Sequence, residues 1–388
     1  MTIPDQPRPP LPRHGLLREI TDRAVIDEVI ARGRVTRSEL STLTGISKPT
    51  ISESARRLET AGLLHATGPR SGHRGRVAIY YELAPQAGWV LSLDVDPDGV
   101  HTRSADLAGE AFDDHDHPPV AAGDVVAMVR RVRSAVRRSQ KIGTARHGEL
   151  RAVALSVANA VDPATSQILA LPNTPFPEGL LDPAEIFGDL VRAPLLVDND
   201  INCAALAEHR DGRAMGEDNF AYLFIGAGFG MGLYANGRMV RGAHGLAGEI
   251  GYLATATGPA KYSTLVAALG KQGFGAPDSS AMDVPTIRRS LAEKRKADSA
   301  AAHAVQALGA TIGQIIVATC AVVDPDLVLL GGPLGRHPAL LDTARSTAAS
   351  LFPSPVRIEL GELGEAASLQ GALHLALDHA RRHLISTA

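Results

Sequence analysis

Apolar side chains return every three or four positions near the start of the chain, at Leu17, Ile20, Ala24, Val25, Ile26 and Val29. That spacing puts them on one face of an amphipathic helix, which Gly33 ends. Thr36 follows with Glu39 three residues on, the spacing of a capping box, in which two side chains satisfy two open helix amides. The second helix turns Leu40 and Leu43 inward and stops at Gly45, a residue suited to a left-handed turn. Ile46 is the hydrophobe of that turn. Ser47 then caps a third helix running to about Thr60, with Pro49 in the first turn, where no intrahelical donor is lost. Ile51, Ala55 and Leu58 form its inward face.

After Tyr80 the period changes. Residues 90–95 read as a buried strand and 99–105 as its hairpin partner, with a turn at Asp106-Leu107-Ala108-Gly109. Further strands are expected at 152–157, 195–197, 220–225, 238–240 and 327–330, alternating with helical stretches. The alternation predicts α/β layers.

Composition sharpens this picture. A chain of 388 residues with 45% hydrophobic positions has room for two or three compact units. Cys203 and Cys320 stand far apart, which argues against a disulfide framework or a cysteine-rich zinc site. The Pro-rich start has no apolar core of a secretion signal. The most apolar stretch, 308–323, is interrupted by Thr311, Gln314 and Thr319, so no membrane span is expected and the compartment is read as the cytoplasm. The net charge of −3 hides an asymmetry: residues 13–76 carry +5 and residues 77–388 carry −8. A basic head on an acidic body suits a module that meets phosphates, joined to one that does not.

Helix, short Gly-containing turn, helix is the DNA-reading motif, whose second helix presents its first residues to base edges in the major groove. Here Ser47, Lys48, Pro49, Thr50, Ser52 and Glu53 occupy that position, with Arg37 on the helix before. Arg56 and Arg57 come later, where phosphates would lie. Beyond Gly62-Leu63-Leu64 a basic hairpin supplies Arg70, His73, Arg74 and Arg76, with glycines that let a tip approach DNA closely. The combination reads as a winged helix-turn-helix. Three short capped helices alone are also compatible with an ordinary all-α core; the basic wing and the charge asymmetry separate the two.

Several motifs then occur in one order: Leu171-Pro172-Asn173-Thr174-Pro175, Val197-Asp198-Asn199-Asp200-Ile201-Asn202, a glycine-rich run from Gly226 to Gly232, a segment from Arg241 to Tyr252, and Asp324-Pro325-Asp326 leading to Gly331-Gly332. In this order they resemble the ROK family of repressors and sugar kinases, specifically its DNA-binding repressor branch. The resemblance implies an α/β fold: an actin-like, ribonuclease-H-like two-lobed domain behind an N-terminal winged helix-turn-helix. The expected organisation is a disordered lead at 1–14, the DNA-binding domain at 15–84 and a sensor domain at 85–388. One lobe would comprise about 85–200 plus 366–388, the other about 201–365. Asn199 and Asp200 resemble the family pair that binds a sugar hydroxyl and removes its proton; the bland alternative is a strand-end Asx turn. Glu249, Tyr252, His244 and Asn173 are the remaining candidate ligand residues, each against the alternative of a merely solvated loop side chain.

The departures from the kinase pattern carry the functional reading. Kinase members end the first strand in Asp-x-Gly-Gly-Thr, whose backbone wraps ATP phosphates. The matching stretch here is Asp94-Val95-Asp96-Pro97-Asp98, which loses an amide to proline and adds carboxylates. Ala227 stands where a Thr hydroxyl is usual. Tyr252 replaces the His of the family's zinc site, and no cysteine follows between Leu253 and Leu269, so neither a metal nor a cofactor is expected. The expectation is a non-catalytic regulator, more a repressor than an activator, with double-stranded operator DNA and a small-molecule effector (a sugar or sugar derivative) as partners. It would act as a homodimer or higher homo-oligomer. Two other readings stay open: a sugar kinase fused to a DNA-binding head, and an effector-independent DNA-binding protein with a vestigial cleft.

Overall fold

The computed structural model describes residues 14–68, 79–172, 176–258, 261–276, 281–292, 300–352 and 356–385. The chain opens with α1 (His14–Arg32), β1 (Val35–Thr36), α2 (Arg37–Thr44), α3 (Lys48–Thr60), β2 (Leu64–Thr67) and β3 (Tyr80–Leu83). The helix boundaries follow the caps. Thr36 accepts from the Glu39 amide while the Glu39 carboxylate takes the Thr36 amide at 2.8 Å. Gly45 ends α2 at φ 70° and Ser47 caps α3. The strands form a small antiparallel sheet in the order β1-β3-β2. Val25, Ile26, Val29, Leu40, Ile51, Ala55, Leu58 and Tyr81 close its core. The expected lead, apart from His14 at the start of α1, and Arg70, His73, Arg74 and Arg76 lie outside the described residues.

A half-buried ion pair fixes α3 against α1. Asp22 takes Nε and Nη2 of Arg57 at 3.1 and 2.6 Å and also accepts the Ser54 hydroxyl. Removing one member of such a group strands the others, which costs more than the pair itself contributes. We expect Asp22→Ala to destabilise the head by about 2 kcal/mol, read as a lowered urea midpoint. An unchanged midpoint would show that the network contributes nothing.

The first lobe is built on β4 (Trp89–Asp96), β5 (Gly99–Asp106), β6 (Ala111–His117), β7 (Leu150–Val157) and β8 (Leu195–Asn199), in the order β6-β5-β4-β7-β8. The meander β4-β5-β6 is antiparallel; β4, β7 and β8 run parallel. Long α4 (Val125–His147) covers one face with short α5 (Pro183–Phe187) beside it, and Trp89 packs directly under Gly143 of α4. The other face carries α12 (Ala367–His383), which rests on α6 (Asp200–Asp211). The last helix of the chain therefore returns to the first lobe.

The second lobe has β9 (Phe220–Ile225), β10 (Phe229–Ala235), β11 (Arg238–Met239), β14 (Leu327–Gly331) and β15 (Arg357–Leu360), in the order β11-β10-β9-β14-β15. Around it lie the hairpin β12 (Ala254–Gly258) and β13 (Lys261–Thr264), α7 (Leu265–Leu269), α8 (Val284–Ala292), α9 (Ala300–Val323), α10 (Gly332–Gly335) and α11 (Pro338–Leu351). Within α9 residues 305–323 are long and apolar enough to cross a membrane. Its Leu308, Ile312, Ile315 and Ile316 are instead buried in the core of this lobe, against α11.

Candidate nucleic-acid interface and ligand cleft

The first turns of α3 carry a largely polar, solvent-facing surface because Ile51, Ala55 and Leu58 of that helix are spent on the core. Ser47, Lys48, Pro49, Thr50, Glu53 and Arg56 are exposed and Ser52 is half-buried. Lys48, Ser52 and Arg56 recur at four-residue spacing, so they share one stripe. Arg56 donates to Glu53 at 2.7 Å, and this bond holds the Glu53 carboxyl below its ordinary range. Arg57 departs from the expectation of a phosphate contact, since its guanidinium is held by Asp22. Arg37 donates to the Tyr81 hydroxyl at 2.6 Å and lies over that ring. Arg34, which the sequence did not single out, grips the Gly68 carbonyl at 2.8 Å at the base of the wing and covers Tyr80.

The cleft is assembled where three parallel strands end. Strand register aligns Asp94 of β4 with Ser156 of β7, and Ser156 with Asp198 of β8. Ser156 donates to Asp94 at 2.6 Å and Ser368, on the first turn of α12, donates to the other oxygen of the same carboxylate. Neither serine belongs to any motif read in the sequence. Asn199 caps α6 through its Oδ1, which takes the amides of Ile201 and Asn202; its Nδ2 donates to Asp200 at 2.8 Å and to the Asn159 carbonyl. Asn199 is thus the N-cap of α6, with its Nδ2 shared between Asp200 and the Asn159 carbonyl.

Burial pushes Asp94 up to about 6, with Asp96 adding to the rise. Burial raises Asp200 well above the usual carboxylate range, and the charges of Asp94, Asp96 and Glu249 raise it further. Glu249 is raised by burial, and Tyr252 feels its charge. Asp200 and Tyr252 thus both feel the charge of Glu249. His244 is exposed on the same loop, and Asn173 lies outside the described residues.

That loop is pinned from two sides. Arg241 meets Asp198 through Nε and Nη2 at 2.9 and 2.5 Å. Gly248, at φ 89°, lies so close to β10 that a Cβ would sit 1.8 Å from the Met231 carbonyl. Only glycine fits both the conformation and the gap.

At the end of β4 the turn is closed on itself. The amides of Asp98 and Gly99 both donate to Oδ1 of Asp96, at 2.8 and 3.0 Å, and Pro97, between Asp96 and Asp98, has no amide to give. His101 sits 3.7 Å from Asp96 and shares a 2.8 Å contact with Asp116; the nearby Asp96 carboxylate, helped by Asp116 and opposed by burial, raises it to about 9. The amides of Asp98 and Gly99 are therefore already bonded. The zinc position is likewise altered: the Tyr252 hydroxyl donates to the Pro172 carbonyl at 2.5 Å, a bond that ties the loop to the 171–172 segment. A phenol so engaged, followed by a hairpin without cysteine, does not fit a zinc ligand set.

The ROK family profile matches residues 125–379, two-thirds of the chain, and a winged helix-turn-helix DNA-binding profile matches residues 18–64. The chain belongs to the ROK family. The xylose repressor of Bacillus subtilis is 22% identical over 387 residues, covering 94% of this chain and 96% of that protein. The crystal structure of a ROK family transcriptional regulator, a homolog of E. coli MLC protein, superposes with a TM-score of 0.71 at 20% identity, covering 96% of this chain and 98% of that one. The ROK hexokinase of Thermus thermophilus matches at TM-score 0.56 and 26% identity, covering 74% of this chain and 97% of that one. The kinase likeness stops short of the full chain, whereas the regulator likeness runs nearly end to end.

Proposed function

We propose that this ROK protein is a sequence-specific DNA-binding repressor controlled by a small molecule held in a cleft that no longer performs phosphoryl transfer. The observation that carries the reading is the pairing of two features on one chain. A winged helix-turn-helix presents a polar first turn, and the phosphate turn of the kinase-like lobes spends its amides on Asp96. The end-to-end similarity to a xylose repressor supports it. DNA-facing residues are Ser47, Lys48, Pro49, Thr50, Ser52, Glu53 and Arg56, with the wing arginines as phosphate or minor-groove contacts. A homodimer in the cytoplasm would set two recognition helices about 34 Å apart on a palindromic operator.

The effector is best matched by an unphosphorylated sugar or polyol. Hydroxyls can pair with Asp200, whose raised proton affinity lets it donate as well as accept, and with Glu249. A phosphate there would meet Asp94 and Asp96 at close range with the nearby amides already bonded. Selection of duplex DNA from a random pool, followed by fluorescence anisotropy at physiological salt, tests the DNA half. The selected duplex should bind at least about a thousandfold more tightly than scrambled DNA. Calorimetry with xylose, glucose and glucose 6-phosphate tests the cleft. ADP release from ATP with any of these sugars, abolished by Asp200→Asn, would establish the kinase reading in place of this one.

A further inference from the structure

We propose that Arg381 is the positioning residue that fixes the DNA-reading head on the sensor lobe, and that α6 with α12 forms the strut carrying changes in the cleft to that head. This rests on the repressor reading above. Helix α12 is tied at both ends. At its start Ser368 bonds Asp94 of the cleft. Thirteen residues later, about 20 Å along the helix, Arg381 donates from Nε and Nη2 to the carbonyls of Leu107 and Ala108 in the β5–β6 turn, at 3.0 and 2.9 Å. Its own carbonyl accepts Nη1 of Arg23 from α1 at 2.7 Å. One residue thus holds a lobe turn with its side chain and the head with its backbone.

Between those ends α12 cannot slide freely on α6. His374 meets Asp211 at 2.6 Å, Gln370 donates to the same carboxylate at 2.7 Å, and Arg210 meets Asp378 at 2.7 Å. At Gly371 the two backbones touch: a Cβ there would lie 1.7 Å from the Cys203 carbonyl. No side chain cushions that contact, so the helices move as a unit. Helix α6 begins at Asp200, the cleft carboxylate, while Leu373, Ala376 and Leu377 of the strut, with Leu384 just past its end, share one continuous core with Val25, Ile26 and Val29 of α1. A ligand that displaces Asp94 or Asp200 therefore moves α1, and by linkage DNA bound to the head must bias the cleft.

That reciprocity allows a test without knowing the effector. The full-length chain is bound to its selected operator duplex, and amide hydrogen exchange is followed at residues 94–99 and 367–371. In wild type, operator should alter exchange at those cleft segments by about fivefold or more. In Arg381→Gln and in Arg23→Gln, both of which spare the recognition helix, operator affinity should stay within about threefold of wild type while the cleft response disappears. Circular dichroism confirms that each variant is folded; should Arg381→Gln fail to fold, Arg23→Gln alone decides the matter. A cleft response that survives in Arg23→Gln, or a wild-type chain that binds operator with no response in the cleft, overturns the strut. Failure to select any duplex at all strikes at the repressor reading, and the strut falls with it.

Discussion

Gly371→Ala will destabilise the fold by about 3 kcal/mol or more. The added methyl would sit 1.7 Å from the carbonyl oxygen of Cys203, and that oxygen belongs to the backbone of a buried helix, so it cannot rotate away as a side chain would. Relief requires α12 and α6 to part by more than about 1 Å, well beyond what close-packed interiors absorb. Parting them loosens Ala372, Leu373, Ala376 and Leu377 together, all buried, and stretches the His374–Asp211 and Arg210–Asp378 contacts. Overpacking of this kind costs about 3 kcal/mol or more, a large share of the 5–15 kcal/mol that holds a typical domain together. The check is urea unfolding alongside Gly15→Ala, where an added Cβ meets nothing within 4 Å and no loss is expected. Equal midpoints for the two variants would mean that the close approach of these helices is unimportant.

The parts of this molecule that were legible in its sequence are those governed by neighbours in the chain. Thr36 with Glu39, Gly45 and Ser47 announced the helix boundaries because a cap is satisfied within one turn. The alternation of 90–95 and 99–105 announced a hairpin for the same reason. Asn199, Asp200 and Glu249 were singled out through motifs, and Asn199 donates to Asp200 in the fold. What stayed hidden depends on contacts across the chain. Ser156 and Ser368 lie in no motif, yet the end of β7 and the start of α12 deliver both hydroxyls to one carboxylate. Arg57 looked like a surface cation on a polar helix face until α1 brought Asp22 beneath it. Strand β6 escaped notice altogether. At the edge of its sheet it exposes Asp114, His115 and Asp116, so it lacks the apolar alternation by which strands are recognised. The role of Arg381 could not be read from a C-terminal helix alone, because the turn and the head it joins lie 274 and 358 residues away in sequence.

Asp94→Asn should make the protein more stable at pH 7 and leave it nearly unchanged at pH 4. Burial and the neighbouring Asp96 hold the Asp94 carboxyl at about 6 in the folded chain, above the 3.8 expected for an unstructured one. Below pH 3.8 both states carry the proton and Asp94 makes no difference. Between about 4 and 6 the unfolded chain releases it and the folded chain does not, so the folded state binds more protons and stability falls as pH rises. Above 6 both are ionised and the full penalty remains, on the order of 3 kcal/mol at about 1.4 kcal/mol per pH unit of separation. Asparagine carries no charge, and it offers an oxygen to the Ser156 hydroxyl and an amide to the Ser368 oxygen. Removing the charge also relieves Asp200, whose proton affinity Asp94 helps to raise. His101 works in the opposite sense. Raised to about 9, it contributes stability that is complete below pH 6.5 and lost as pH climbs through 9, so its effect must be kept out of the comparison. Thermal midpoints of both chains at pH 4, 5, 6 and 7 suffice, since His101 is charged in the folded state throughout that range. The gain for Asp94→Asn should open between pH 4 and 6 and then level off. A gain that is already full at pH 4 would show that the substitution acts through packing, and that the carboxylate is not the strained group in this cleft.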